Sequence, residues 1–416
     1  MMAGPVIAGQ PLQVDPRRIP DLADPVPLLQ RLQDEDHIHW SGEAGAWLIT
    51  RYDDVRAGFL DRRLGVTRPM PAPERFEEEF REVYRAYRNS LETWMVMSEP
   101  PDHTRLRKLA NRGLTPTAIE GLRPQVGEIV DGLLAAMPDS GDCDFVNAFA
   151  YPLPAAVIAL LIGVPTTILR DLHRWSDDIA KGLGAPGEDI IRPPAYATFE
   201  MSAYLTDFIA ERRANPKDAI IDQLIAARDG DARMSSDELI GNLILFLFAG
   251  HETTMNLLSS GLRSLLRHPG QMQDLRDNLD NRSVIAGAVE EILRYDGALF
   301  MLMRFAAQDF EWHGRRIAKG DKVFLYCLAA NRDRRKFEQP DRFDIRRPDS
   351  KQHIAFGYGP HFCLGGPLAR LEMEVALPAL LRRFPALSLP GENVAWRNNM
   401  TLRGQPSMPL RIGVGV

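Results

Sequence analysis

One cysteine of this chain stands in a frame suited to a metal-bound thiolate: Phe356-Gly-Tyr-Gly-Pro-His-Phe-Cys-Leu-Gly365. A thiolate that ligates iron needs shelter from solvent and backbone donors aimed at the sulfur, which tune its electron donation. Gly357, Gly359 and Gly365 allow the backbone to curl closely around Cys363, and Phe356 can pack beside the sulfur. The residues from Pro367 to Glu374 read as a helix whose positive end favours a thiolate. A lone cysteine is more often a small buried core residue. The frame around this one argues for chemistry.

A second constellation is Ala249-Gly-His-Glu-Thr-Thr254. Ala249 and Gly250 leave room for a flat ligand and a diatomic molecule against a helix. The Thr253 hydroxyl can return to the carbonyl of Ala249, loosening the helical ladder. A carboxylate beside a hydroxyl, Glu252 beside Thr253, can relay protons. A third pattern, Glu290-Glu291-Ile-Leu-Arg294, sets either acid on one helical face with Arg294. As chemistry it is weak, because such pairs are usually exposed.

The elements that must position these residues read as mainly helical with small sheets. A long helix is expected from Ser235 or Ser236, with Asp237 and Glu238 in its first turn, to about His268, where Pro269-Gly270 stops it. Further helices are expected over Arg282–Tyr295, Tyr52–Leu60, the charged stretch Glu74–Trp94, and much of Thr115–Arg228, which Pro152, Pro165, Pro186 and Pro193-Pro194 punctuate. Ile38–Trp40 and Trp47–Thr50 read as a hairpin, with short strands around Phe310–Ile317 and Val323–Tyr326. The tail, with Pro390, Gly391 and Gly404, reads as hairpins. No repeat or low-complexity linker forces a cut, so residues 1–416 are expected to form a single domain.

The 416 residues are 45% hydrophobic and carry 50 basic against 56 acidic side chains, a net charge of −6. That balance argues against a dedicated nucleic-acid binder. The three cysteines, Cys143, Cys327 and Cys363, form no Cys-x-x-Cys pair and fit a reducing cytosol. The N-terminus is broken by Pro5, Pro11, Pro16 and Pro20 and lacks an apolar signal run. The most apolar segment, Leu243–Ala249, has seven residues, far short of the about 20 a membrane span needs. A soluble, cytoplasmic protein that engages neither membrane nor nucleic acid is expected.

The cysteine segment is similar to the cysteine-ligand loop of the cytochrome P-450 family, Phe-x-x-Gly-x-x-x-Cys-x-Gly, with every fixed position filled; His361 stands where many members carry Arg. The resemblance extends from the Trp47 hairpin to Arg403-Gly404. It implies a helix-rich triangular prism with a long central helix across the haem. It also implies heme b bound through the Cys363 thiolate as iron ligand, contacted by Ala249, Phe356 and Gly365, with His103, Arg107, Arg304 and His353 as partners of its propionates. Glu252 and Thr253 become the acid–alcohol pair. Glu291 and Arg294 become a buried structural pair completed by Arg342 of Pro340-Asp-Arg-Phe343.

By the same resemblance, substrate-facing positions are Met95, Val96, Leu245, Phe248, Ala249, Leu299, Phe300, Leu302, Thr401 and Leu402. None is charged, so a neutral, mostly apolar substrate is expected, with Gly182–Pro194 as an adaptable entrance. The implied activity is hydroxylation of a C–H bond with one oxygen atom of O2. Electrons are expected from NAD(P)H through a ferredoxin and its reductase, docking on the cysteine side near Arg107, Arg112 and His361. The alternatives are a peroxide-driven peroxygenase and a non-catalytic haem-binding sensor. Neither has a use for an intact Glu252-Thr253 pair.

Overall fold

The apolar run Leu243–Ala249 lies within the helix Ser236–Arg267, in a computed structural model that describes residues 12–182, 188–217, 219–227, 232–391 and 395–413. Its start is fixed by a capping box: Ser235 Oγ accepts from the Glu238 N–H at 3.1 Å, and Glu238 Oε2 accepts from the Ser235 N–H at 2.8 Å. Asp237 and Glu238 complement the helix dipole. At the far end Pro269 opens a new helix, Pro269–Arg276. Side chains on all sides of the central helix are buried, including Leu243, Ile244, Leu245, Leu247 and Phe248. It is therefore enclosed rather than amphipathic. Around it pack Pro152–Ile162, Arg282–Asp296, Leu169–Lys181, Glu188–Ala214 and Glu78–Thr93.

Among the described residues ten strands lie outside this helical body: β1 (Ile38–Ser41), β2 (Ala46–Ile49), β3 (Leu64–Gly65), β4 (Gly141–Asp144), β5 (Leu302–Ala306), β6 (Phe310–Trp312), β7 (Arg315–Ile317), β8 (Lys322–Leu325), β9 (Leu387–Ser388) and β10 (Pro409–Ile412). The largest sheet runs β1-β2-β8-β5-β3. The expected hairpin β1–β2 pairs Trp40 with Trp47, and β2 runs parallel to β8, so Trp47 sits beside Val323. β6 and β7 form a separate hairpin.

Three expectations need correction. The tail is not a set of local hairpins: β10 pairs with β9 on one side and with β4, far upstream, on the other. Strand β4 interrupts a region that reads as helical. Pro193 and Pro194 do not break the chain but lie inside the helix Glu188–Ala214. Both lie past the first four residues of that helix, so each removes a ladder bond, and the packing of Ala195 with Phe76, Phe80, Tyr84 and Tyr87 holds this stretch in place. Residues 183–187 of the expected entrance segment lie outside the described residues. Among the described residues no helix is long and apolar enough to cross a membrane.

Candidate active site

Between the central helix, the cysteine loop and β5 lies a cavity of ≈ 380 Å³, within the range of small-molecule sites. Cys363, Phe356, Gly365, Ala249, Thr253, Arg304, His103 and Arg107 all line it. The loop is shaped as its glycines require. Gly357 and Gly359 adopt φ of 70° and 75°, values L side chains rarely take, and a Cβ on Gly359 would come 2.8 Å from Leu60 Cδ2. Gly365, at φ −80°, serves differently, as the residue that caps the helix Gly366–Arg383 beside the sulfur.

Cys363 is open on the cavity side yet deep in protein. Burial pushes its thiol up, while the N–H groups of Gly365 and Gly366 and the cations Arg107 and Arg370 oppose that shift. Its own N–H donates to Phe356 O at 3.0 Å. The phenyl ring of Phe356 lies under the Arg370 guanidinium, 4.6 Å from its centroid.

Four basic groups converge on the cavity, and among the described residues no carboxylate lines it. Arg304 is 5% exposed, and its Nη1 donates to Met303 O at 3.0 Å. Burial lowers it to about 10. Arg107 is also lowered by burial. Among the described residues no carboxylate lies within ion-pair distance of either. His361 stacks 4.0 Å from His103, and its Nδ1 is buried without a partner. Burial, then the neighbouring His103, Arg304 and Arg107, push His361 down to about 3. Two guanidinium groups without a carboxylate partner and a buried, unpartnered His361 nitrogen, set around an apolar slot that ends in a thiol, fit a flat, apolar group carrying carboxylates. That is the chemistry of haem.

His353, expected beside the propionates, does not line the cavity. Its Nε2 lies 3.0 Å from Glu290 Oε2, and its Nδ1 accepts from the Ala355 N–H. Burial alone would raise the Glu290 carboxyl, but His353 and Arg370 hold it at about 2. The histidine that lines the cavity beside His103 is His361, two residues before the cysteine. Its place in the motif and the absence of an acid nearby were the available signals.

Thr253 behaves as expected: its hydroxyl donates to Ala249 O at 2.8 Å. Gly250 lines the cavity, but its missing side chain mainly admits a neighbouring helix, since a Cβ there would meet Ile158 Cδ1 at 2.8 Å. Glu252 is buried and does not line the cavity. Its Oε1 accepts from Arg397 Nη1 at 3.3 Å, and Arg397 also reaches Asp177 Oδ1 at 3.3 Å. Asp177 Oδ2 lies 3.2 Å from His173 Nε2. Burial raises Glu252, and Arg397 is the largest opposing influence. Glu252 Oε2, Asn256 Oδ1, Arg397 Nε, Tyr151 Oη and both nitrogens of His251 are buried without partners. Such a group of polar atoms suits bridging water.

Met95, Val96, Leu245, Phe248, Leu299, Leu302, Thr401 and Leu402 line the cavity as expected. Phe300 does not. Adjacent residues of an extended segment point to opposite sides, and Phe300 packs edge-on to Tyr326 at 5.6 Å. The lining residues that the sequence did not suggest include Ile158 and, most consequentially, Arg68, whose Nη1 donates to Gly182 O at 3.2 Å. The lining is thus not free of charge. Arg107 and His361, expected on a docking face, line the cavity too.

The structural brace also differs in one member. Glu291 and Arg294 are fully buried and joined by bonds of 2.7 and 2.8 Å. Arg342 contributes only its carbonyl, which accepts from Arg294 Nη2 at 3.2 Å, while its guanidinium pairs with Asp344 at the surface. The cation that reaches Glu291 is Arg347, at 3.3 Å.

The family model "Cytochrome P450" matches residues 195–411. Cytochrome P450 107B1 of Saccharopolyspora erythraea is 39% identical over 88% of this chain and 89% of its own length. The polyketide biosynthesis cytochrome P450 PksS of Bacillus subtilis is 36% identical over 94% of this chain and 96% of its own length. The solved structure of PksS superposes with a TM-score of 0.86 at 34% identity, covering 97% of this chain and 100% of that one. With these likenesses added to the thiol, the cavity and the brace, the chain belongs to the cytochrome P450 family of haem-thiolate oxidoreductases.

Proposed function

We propose that this chain hydroxylates a C–H bond of a small-to-medium, mostly apolar molecule seated beside the haem in the cavity that Cys363 and Thr253 line, with electrons from an external ferredoxin and ferredoxin reductase drawing on NAD(P)H. The observation that carries this reading is that Cys363 and Thr253 line one apolar cavity. Bound haem supplies oxygen activation, with the Cys363 thiolate as its iron ligand. Arg107, Arg304, His103 and His361 hold the propionates, and Ala249, Phe356 and Gly365 border the macrocycle. Thr253 presents a hydroxyl at the cavity. Glu252 stores a proton behind it, its affinity set by burial against Arg397.

The apolar lining favours substrates that are largely neutral, since a charge without a partner would be desolvated at a cost of several kcal/mol. Relatives include proteins named 6-deoxyerythronolide B hydroxylase, at 39% identity, and Vitamin D(3) 25-hydroxylase, at 37%. These names support a macrolide-like or steroid-like substrate class. The test is product formation from such a panel with NADPH and a surrogate ferredoxin pair, run beside peroxide alone. Product only with peroxide would favour a peroxygenase; spectral binding without product in either arm would favour a sensor.

A further inference from the structure

We propose that His37, Asp54 and His313 form a site for one divalent transition-metal ion, with Zn²⁺ the best match to their chemistry. The three come from distant parts of the chain. His37 precedes β1, Asp54 lies in the helix Tyr52–Leu60, and His313 turns the β6–β7 hairpin at φ 47°. His37 Nδ1 lies 2.8 Å from Asp54 Oδ2, and His313 Nε2 lies 2.7 Å from Asp54 Oδ1. Their candidate ligand atoms all fall within 4.8 Å of one another, and the two imidazoles stack with centroids 4.0 Å apart and planes at 23°.

Both oxygens of one buried carboxylate therefore meet an imidazole nitrogen in the same small volume. Protonating both rings would set two cations face to face. One divalent ion in place of the two shared protons keeps both rings neutral and satisfies the carboxylate. Two imidazoles and a carboxylate suit zinc, with Zn–N and Zn–O distances of about 2.0–2.2 Å and water completing the shell. Ligand atoms around such an ion stand about 3.3 Å apart, so the side chains need to part by about 0.5 Å. His37 and His313 are partly exposed, which leaves an entry path and room for water. The nearby Asp36 is engaged elsewhere, by the Arg315 guanidinium and the His37 N–H.

Such an ion would tie the β6–β7 hairpin to the helix Tyr52–Leu60. That helix carries Phe59, 5.2 Å from the Arg304 guanidinium, and Leu60, which abuts Gly359 of the cysteine loop. The corner behind the candidate active site is thereby stiffened.

The experiment is calorimetric titration of chelator-treated, haem-loaded enzyme with Zn²⁺ and, separately, Mg²⁺, followed by X-ray absorption at the zinc edge. One equivalent of Zn²⁺ and no Mg²⁺ are expected, with nitrogen and oxygen neighbours only. His37→Gln, His313→Gln and Asp54→Asn should each weaken zinc binding by about tenfold or more and abolish the zinc-dependent rise in melting temperature. Absence of stoichiometric binding, sulfur in the zinc shell, or any one variant binding zinc within about tenfold of the wild type overturns the site.

Discussion

The rings of His103 and His361 stand 4.0 Å apart, and both line the cavity with Arg107 and Arg304. Neither ring gains from the other's charge, so an anion between the basic groups relieves all four. His361→Ala is therefore expected to speed haem release. His353→Ala should leave release unchanged and instead lower the melting temperature, because Glu290 loses one of its two partners, at about 1–3 kcal/mol. Haem-release kinetics and calorimetry separate the two effects; the reverse pattern would restore His353 to the propionates.

For the brace, the expected contrast is between Arg347 and Arg342. Arg347 is nearly buried against Glu291, whereas the Arg342 guanidinium is 61% exposed. Arg347→Ala removes one charged donor from a buried carboxylate that keeps Arg294 and the Asp344 N–H, and should cost about 1–3 kcal/mol. Arg342→Ala should change stability by less than about 0.5 kcal/mol. Denaturant unfolding of haem-loaded protein measures both.

A third expectation concerns proton supply. Thr253→Ala should retain haem and ligand binding but lower product formed per NADPH, as hydroxyl loss diverts electrons to peroxide. Arg397→Leu acts at a distance. Without that cation Glu252 rises further, so its carboxylate form appears only at higher pH. Product per NADPH should then fall near neutral pH and recover as pH rises, while an unshifted pH profile would separate Arg397 from Glu252.

What could be seen in the sequence followed from local rules. The helix start near Ser235 with Asp237 and Glu238 in its first turn, the stop at Pro269 and the glycines before Cys363 act on neighbouring residues, and each appears where expected. The misreadings involve partners far apart in the chain. Strand β4 forms because β10 supplies its ladder across the fold. Arg347 replaces Arg342 because the path after Pro340 decides which side chain returns to Glu291. Nothing local to His353 reveals that Glu290, 63 residues upstream, meets its ring. Arg397 lies 145 residues from Glu252, and no spacing links them.

Glu372 offers a pH-dependent test of the core. It is fully buried, neither carboxylate oxygen has a partner among the described residues, and burial raises its carboxyl well above the usual range. The folded state thus holds a proton that the unfolded chain releases, and stability falls as pH climbs from the ordinary carboxylate range through the raised value. Glu372→Met removes both the unsatisfied group and that decline. A gain of about 1–3 kcal/mol near neutral pH is expected, smaller at acid pH where both states are protonated. Parallel stability–pH curves for variant and wild type would contradict this.

Arg68 is the one lining cation that does not belong with His103 and His361 around the proposed propionates. Its Nη1 reaches the carbonyl of Gly182, and among the described residues no carboxylate lies within ion-pair distance of it. The remaining donors of its guanidinium are available to a ligand in an otherwise apolar space, where a hydrogen bond to a charged group contributes about 1.5–3 kcal/mol. A substrate carrying a carbonyl or hydroxyl at one end should be oriented by it, with the apolar remainder toward Leu245 and Leu299. Arg68→Leu is expected to weaken carbonyl-bearing ligands by about 10- to 100-fold, the equivalent of that energy, and to leave hydrocarbons of matched size within about twofold. Optical titration of matched pairs reads the difference directly. Equal losses for both members of a pair would mean that Arg68 shapes the wall without touching the ligand, and a gain for the carbonyl-bearing member would exclude the contact altogether.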